Sequence, residues 1–129
     1  MGGYNSGGYL SSAEEFNPET RHSCAVGDIP KGNYRGSLCN NMYCGGYRAK
    51  TSCVRFHGNG TFTPLPVTLV KPRLGHICWG LPSGEVILMG GSSSTTTTER
   101  VSVDGSSSSP DFNLPYDTRY CIDFNRKQQ

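Results

Sequence analysis

The apolar positions of this chain come in short bursts rather than in helical stripes. The clearest burst, Val86, Ile87, Leu88 and Met89, runs straight into Gly90-Gly91. A shorter one, Tyr43 and Cys44, runs into Gly45-Gly46, and Met1 stands before Gly2-Gly3. Short apolar runs bounded by turn formers predict strands. A glycine pair at the end of a strand predicts positive φ or close approach of two backbones. The doublets are spaced by about 43 and then 45 residues, a period typical of repeats built from four-stranded sheets. A further pair, Gly7-Gly8, falls outside this period and reads as loop.

The segment after each doublet also recurs. A polar loop (4–10, 47–50, 92–98) precedes a strand (12–16, 52–56, 99–103), then a turn, then a second strand (24–30, 61–66, 111–115) that runs into proline. The turns are Asn17-Pro18-Glu19, His57-Gly58-Asn59-Gly60 and Asp104-Gly105 with the serines 106–109; Asn-Gly and Asp-Gly are strong hairpin signals. Beyond the proline lies a loop with Arg35, Arg73 or Arg119, then a small-residue strand holding Cys39, Cys78 or Cys121. With strands named a to d and the doublet ending b, the chain reads c-d, a-b-c-d, a-b-c-d, a. That is a four-stranded antiparallel meander, repeated. Such a sheet cannot bury both faces alone and must stack on neighbours. The serine and threonine runs fall within one repeat, as loop and turn, so they need not be linkers.

With the repeat laid out, the chain resembles the kelch-repeat family. The resemblance rests on Gly2-Gly3 with the segment 11–20 ending in Phe16-Asn17-Pro18-Glu19-Thr20, and on Gly45-Gly46 followed by Phe56, Phe62 and Leu65-Pro66. The third copy places Val103 and Phe112 in the aromatic positions. No copy has tryptophan at the family's tryptophan position, where Cys24, Phe62 and Phe112 stand. The resemblance implies an all-β fold of kelch-type β-propeller blades, incomplete, with about three repeats. It divides the chain into a partial blade (1–34), two blades (35–66 and 73–115) and the first strand of the next (116–129). It also implies a chain that starts and stops inside blades, with open faces prone to self-association. Cysteine-containing blades are similar to those of secreted kelch-like proteins.

Composition narrows this picture. With 34% hydrophobic residues, 17 glycines, 8 prolines and 17% charge, the chain is neither a helix bundle nor a disordered polyelectrolyte. A net charge of +2, with Lys and Arg scattered, gives no basic patch and argues against nucleic acid as a partner. No apolar stretch is long enough to span a bilayer, so no membrane segment is expected. The N-terminus has neither a basic nor an apolar region and does not read as a signal peptide. Six cysteines and the sequon Asn59-Gly60-Thr61, a glycosylation candidate, lean towards an oxidising, extracellular compartment.

The candidate chemistry is sparse. Cys44 and Cys53 flank the b–c loop on strands that should pair, so they are a disulfide candidate against buried free thiols. Cys39, Cys78 and Cys121 read as small inner-strand residues rather than metal ligands. His22, His57 and His76 occupy different parts of the repeat, and no motif gathers them, so no cofactor and no metal site is expected. Arg35, Arg73 and Arg119 read as structural, bonding loop carbonyls. In a meander the d–a and b–c loops share one rim, which would gather Tyr4, Tyr9, Tyr34, Tyr47, Arg48, Lys71 and Tyr116. Tyr and Arg are favoured at interface hot spots. The expected function is a non-enzymatic protein-protein interaction module. The alternatives are a fragment of a galactose-oxidase-like copper enzyme and a disulfide-braced extracellular structural repeat.

Overall fold

The computed structural model describes residues 1–57, 60–92 and 96–115. Asn59, Tyr116, Arg119, Cys121 and the strand expected over 116–129 lie outside the described residues. Among the described residues every regular element is a strand and every pairing is antiparallel. None holds a helix long and apolar enough to cross a membrane.

A small hairpin, β1 (Tyr4–Asn5) and β2 (Gly8–Tyr9), precedes a two-stranded sheet of β3 (Ala13–Asn17) and β4 (His22–Val26). A four-stranded meander comes next: β5 (Ser37–Cys39), β6 (Met42–Cys44), β7 (Ser52–Phe56) and β8 (Phe62–Thr68). A second meander repeats it with β9 (Ile77–Gly80), β10 (Val86–Met89), β11 (Thr97–Val101) and β12 (Ser108–Asn113). Both have the a-b-c-d order expected from the doublets. Both slip register at the same place, between Ser52 and Val54 against β8 and between Thr97 and Glu99 against β12. Strand β11 begins two residues before the expected 99, because Thr97 and Thr98 are β-branched and extend the strand.

The doublets owe their glycines to a shared geometry. The first glycine has φ of 73°, 72° and 70° at positions 2, 45 and 90, and the second has 126°, 108° and 112° at 3, 46 and 91. The N–H groups of Gly2, Gly45 and Gly90 donate to the carbonyls of Ser12, Ser52 and Thr97 at 2.8, 3.0 and 3.0 Å, tying strand b to strand c in each copy. Gly3 and Gly46 donate to the carbonyls of Asn33 and Arg73, at 2.7 and 2.9 Å, in the loop that enters the next sheet. A Cβ on Gly45 would lie 2.6 Å from the Arg73 carbonyl oxygen, so both dihedral and space exclude a side chain.

This pattern corrects the arginine alignment. Asn33 Nδ2 donates to the Gly45 carbonyl at 2.8 Å, and an Arg73 terminal nitrogen donates to the Gly90 carbonyl at 2.9 Å. Asn33 is therefore the counterpart of Arg73. Arg35 has φ of 64° and lies in the turn beyond, its carbonyl accepting from Gly75 N–H.

The core lies between the two meanders. Directly opposed residues on paired strands share a face. Met42 and Cys44 of β6 look towards the second sheet, and Val86 and Leu88 of β10 look back; with Cys53, Val67, Leu69 and Val101 they form the buried cluster. Aligned on the doublets, Leu88 matches Tyr43, not Met42. The meeting faces are thus opposite faces of the same repeat, as stacking in one direction requires.

Arg73 and Glu99 are sealed inside this junction, both at 0% exposure, with Nε and Oε1 2.7 Å apart. Arg73 also donates to the Thr97 carbonyl and hydroxyl. Glu99 accepts from the N–H groups of Val70 and Lys71 and from the Ser108 hydroxyl. A structural arginine bonding loop carbonyls is thus what Arg73 is.

His76 is buried beside them, its Nε2 2.6 Å from Ser37 Oγ. Burial, and then the positive charge of Arg73, lower its pKa from 6.5 to about 4. The unfolded chain therefore takes up a proton below about pH 6.5, and the folded chain does so only near pH 4. Stability from this group is full above pH 6.5 and is lost as pH falls through the folded value, by about 3 kcal/mol in all. Urea unfolding at pH 7 and pH 4 is expected to show that loss. The His76→Gln variant should lose less by about the same amount, and equal losses in the two proteins would contradict the assignment.

Candidate interaction site on the tyrosine rim

Four tyrosines from four backbone segments meet on one rim. In the β1–β2 hairpin, Asn5 Oδ1 accepts from Gly7 N–H at 2.8 Å, and Gly8 takes φ of 111°, closing a tight turn where only loop was expected. Tyr4 and Tyr9 then stand directly opposite each other, on one face, with ring centroids 5.3 Å apart. The Leu10 carbonyl accepts from Asn33 N–H at 3.0 Å and draws the 32–34 segment alongside the hairpin. The Tyr34 carbonyl accepts from Tyr47 N–H at 2.9 Å and draws in the loop after Gly46.

These main-chain bonds set the rings in contact. Tyr34 lies 5.7 Å from both Tyr4 and Tyr9, while Tyr47 lies 5.5 Å from Tyr9 and 5.4 Å from Tyr34. Three cations cover them. The Arg48 guanidinium is 4.9 Å from the Tyr9 centroid, the Lys50 ammonium 5.2 Å from Tyr47, and the Arg35 guanidinium 5.6 Å from Tyr34. Each such contact is worth about 0.5–1 kcal/mol at an exposed site. Desolvation among the rings, then the charge and hydrogen bond of Tyr47, holds the Tyr9 phenol above its ordinary pKa of 10.0. Tyr9 thus stays a protonated donor at neutral pH.

Of the expected rim residues, Tyr4, Tyr9, Tyr34, Tyr47 and Arg48 come together. Lys71 does not join the ring contacts among the described residues; its N–H is committed to Glu99 Oε1. Lys50 and Arg35 are part of the cluster and were not expected there. Their signal was spacing, Lys50 three residues beyond Tyr47 and Arg35 adjacent to Tyr34. Tyr116 lies outside the described residues.

The expected pair of cysteines is bonded, and a second pair is bonded that was not expected. Cys44 and Cys53 are bonded across β6 and β7, directly opposite each other with Cα atoms 4.1 Å apart. Cys39 and Cys78 are not free inner-strand thiols: they form a disulfide between the two meanders, Cα to Cα 6.1 Å. The reason is register. Cys39 opposes Met42 and Cys78 opposes Leu88, so the two sit one residue out of step in the repeat and point to opposite faces. Stacking brings those faces together. Cys24 is exposed on β4 and unpaired among the described residues.

The histidines are dispersed: His22 opposes Asn17 on an exposed hairpin, His57 bonds the Thr63 hydroxyl and His76 bonds Ser37. Among the described residues no three of His, Cys, Asp or Glu are grouped as metal ligands would be. Phenols and cations are gathered instead on the rim. No protein-family model matches this chain, and no curated protein is similar to it.

Proposed function

We propose that this chain is a non-enzymatic protein-interaction module made of kelch-type β-propeller blades, meeting its partner through the tyrosine rim. The observation that carries the reading is the convergence of four tyrosines under Arg48 and Lys50. Stacked sheets hold the loops rigidly, so the rings are presented at little entropic cost on binding. The doublet geometry, repeated three times, and the two like meanders support the kelch-type reading. Self-association belongs to the same proposal. It would use the outer face of the second meander, where Trp79 is 63% exposed.

A second reading, a disulfide-braced extracellular structural repeat, is favoured by the Cys39–Cys78 bond between neighbouring sheets. Such bonds persist in oxidising compartments. The rim separates the two readings. A partner captured on the immobilised chain, then purified, is expected to lose affinity by about tenfold or more with Tyr9→Ala and with Tyr47→Ala. The urea midpoints of both variants should stay close to that of the parent. Undiminished affinity in both variants would favour the structural repeat.

A further inference from the structure

A cavity of about 230 Å³ lies between the outer face of the first meander and the 29–33 segment that comes after β4. Its floor is a single cross-strand row, Tyr43, Val54 and Pro64, three residues directly opposite one another on β6, β7 and β8. Ile29 extends the apolar wall, and Lys31 and Arg48 line it from exposed positions. Neither Lys31 nor Arg48 forms an ion pair with a carboxylate among the described residues.

The repeat explains why this space exists. Aligned on the doublets, the row Tyr43, Val54 and Pro64 corresponds to Leu88, Glu99 and Pro110 in the second meander. Asn33 corresponds to Arg73, through the same bonds to the doublets. Where the second meander packs an arginine and a glutamate, the first has an asparagine and a valine. The volume that the ion pair fills in one junction is left over in the other. Three and two residues before Arg73, the main-chain N–H groups of Val70 and Lys71 donate to the Glu99 carboxylate; at the same places before Asn33 stand Pro30, which has no N–H, and Lys31. The first junction thus lacks the acid and most of the donors that hold it, and has instead two cationic side chains, Lys31 and Arg48, at the cavity.

We propose that this cavity binds a small apolar carboxylic acid, whose carboxylate takes the place that Glu99 fills in the neighbouring junction. Its hydrocarbon part would rest on Tyr43, Val54 and Ile29, and its charge would face Lys31 and Arg48. A dry cavity of about 150 Å³ is enough for benzene, so this one suits a fused two-ring acid. Arg48 also covers Tyr9, so occupancy would be felt at the rim.

The probe is 2-naphthoate, titrated into the intact chain beside neutral 2-naphthalenemethanol and monitored by calorimetry and amide chemical shifts. Saturable one-to-one binding of the acid is expected, shifting the amides of Tyr43 and Val54. The alcohol, which has no negative charge to pair with Lys31 and Arg48, should bind at least about tenfold more weakly. Rebuilding the ion pair with Asn33→Arg and Val54→Glu together should abolish binding of the acid. Equal affinity for acid and alcohol in the parent would overturn the proposal, whatever the variant does. So would undiminished binding by the folded double variant.

Discussion

Replacing Arg73 with methionine is expected to lower the unfolding free energy by about 3–5 kcal/mol, the cost of leaving a buried charge without its partner. Glu99 would remain at 0% exposure, 2.7 Å from where the guanidinium stood. The informative protein is the double variant Arg73→Met with Glu99→Leu. Buried ion pairs can often be exchanged for apolar residues without loss, because desolvation offsets their attraction. Here the exchange should fail. Arg73 supplies donors to the carbonyls of Gly90 and Thr97, and Glu99 supplies acceptors to the N–H groups of Val70 and Lys71. An apolar pair leaves the Thr97 carbonyl its bond from Gly90 N–H but takes these partners from the other three main-chain groups, at about 1–3 kcal/mol for each that stays buried and unsatisfied. The double variant should therefore stay at least about 3 kcal/mol below the parent in urea unfolding. A double variant as stable as the parent would show that the pair acts only as an ion pair. It would then not be the clamp that holds the β8–β9 loop to the b–c loop of the second meander.

The same residues mark the limit of what is legible in the sequence. Periodicity located the meanders, because a doublet needing positive φ admits almost nothing but glycine. The spacing of Gly45-Gly46 and Gly90-Gly91 is therefore stamped on the chain. It also located the rim, since loops on one side of a meander must share an edge, and Tyr34 and Tyr47 lie in such loops. It did not reveal the burial of Glu99, which opens the expected strand 99–103 between Thr98 and Arg100, with no apolar neighbour to mark it as inward-facing. Its burial comes from Arg73, 26 residues away in sequence. Nor did it locate Cys39 with Cys78. Matching the two cysteines to each other puts them in the same register position, where they could never meet. Only hydrogen-bond register shows the one-residue offset that turns them face to face. The β1–β2 hairpin was missed for a plainer reason: two-residue strands leave no periodicity to read.

That cross-sheet disulfide should be the larger of the two covalent contributions to stability. It closes a separation of 39 residues, against 9 for Cys44–Cys53. Loop-closure entropy then gives about 4 kcal/mol for the first and about 3 kcal/mol for the second. The double variant Cys39→Ala with Cys78→Ala is expected to melt roughly 10–20 °C below the parent by calorimetry. The contrast should be wider than the entropies imply. Cys44 and Cys53 lie on paired strands of one hairpin, which the main-chain ladder already holds together. Cys39 and Cys78 belong to sheets joined otherwise by side-chain packing and by loop contacts such as Gly46 to Arg73. Accessibility points the same way: Cys44 and Cys53 are 0% and 2% exposed, while Cys39 and Cys78 are partly open to solvent. Mild thiol reductant should therefore open Cys39–Cys78 first, and alkylation with mass mapping should find those two cysteines labelled while the hairpin pair is still closed. Amide exchange would then quicken in β5 and β9 before it does in β6 and β7. If the double variant melted within a few degrees of the parent, the bond would be a surface ornament. The apolar cluster of Met42, Val67, Leu69, Val86, Leu88 and Val101 would then be holding the two sheets on its own.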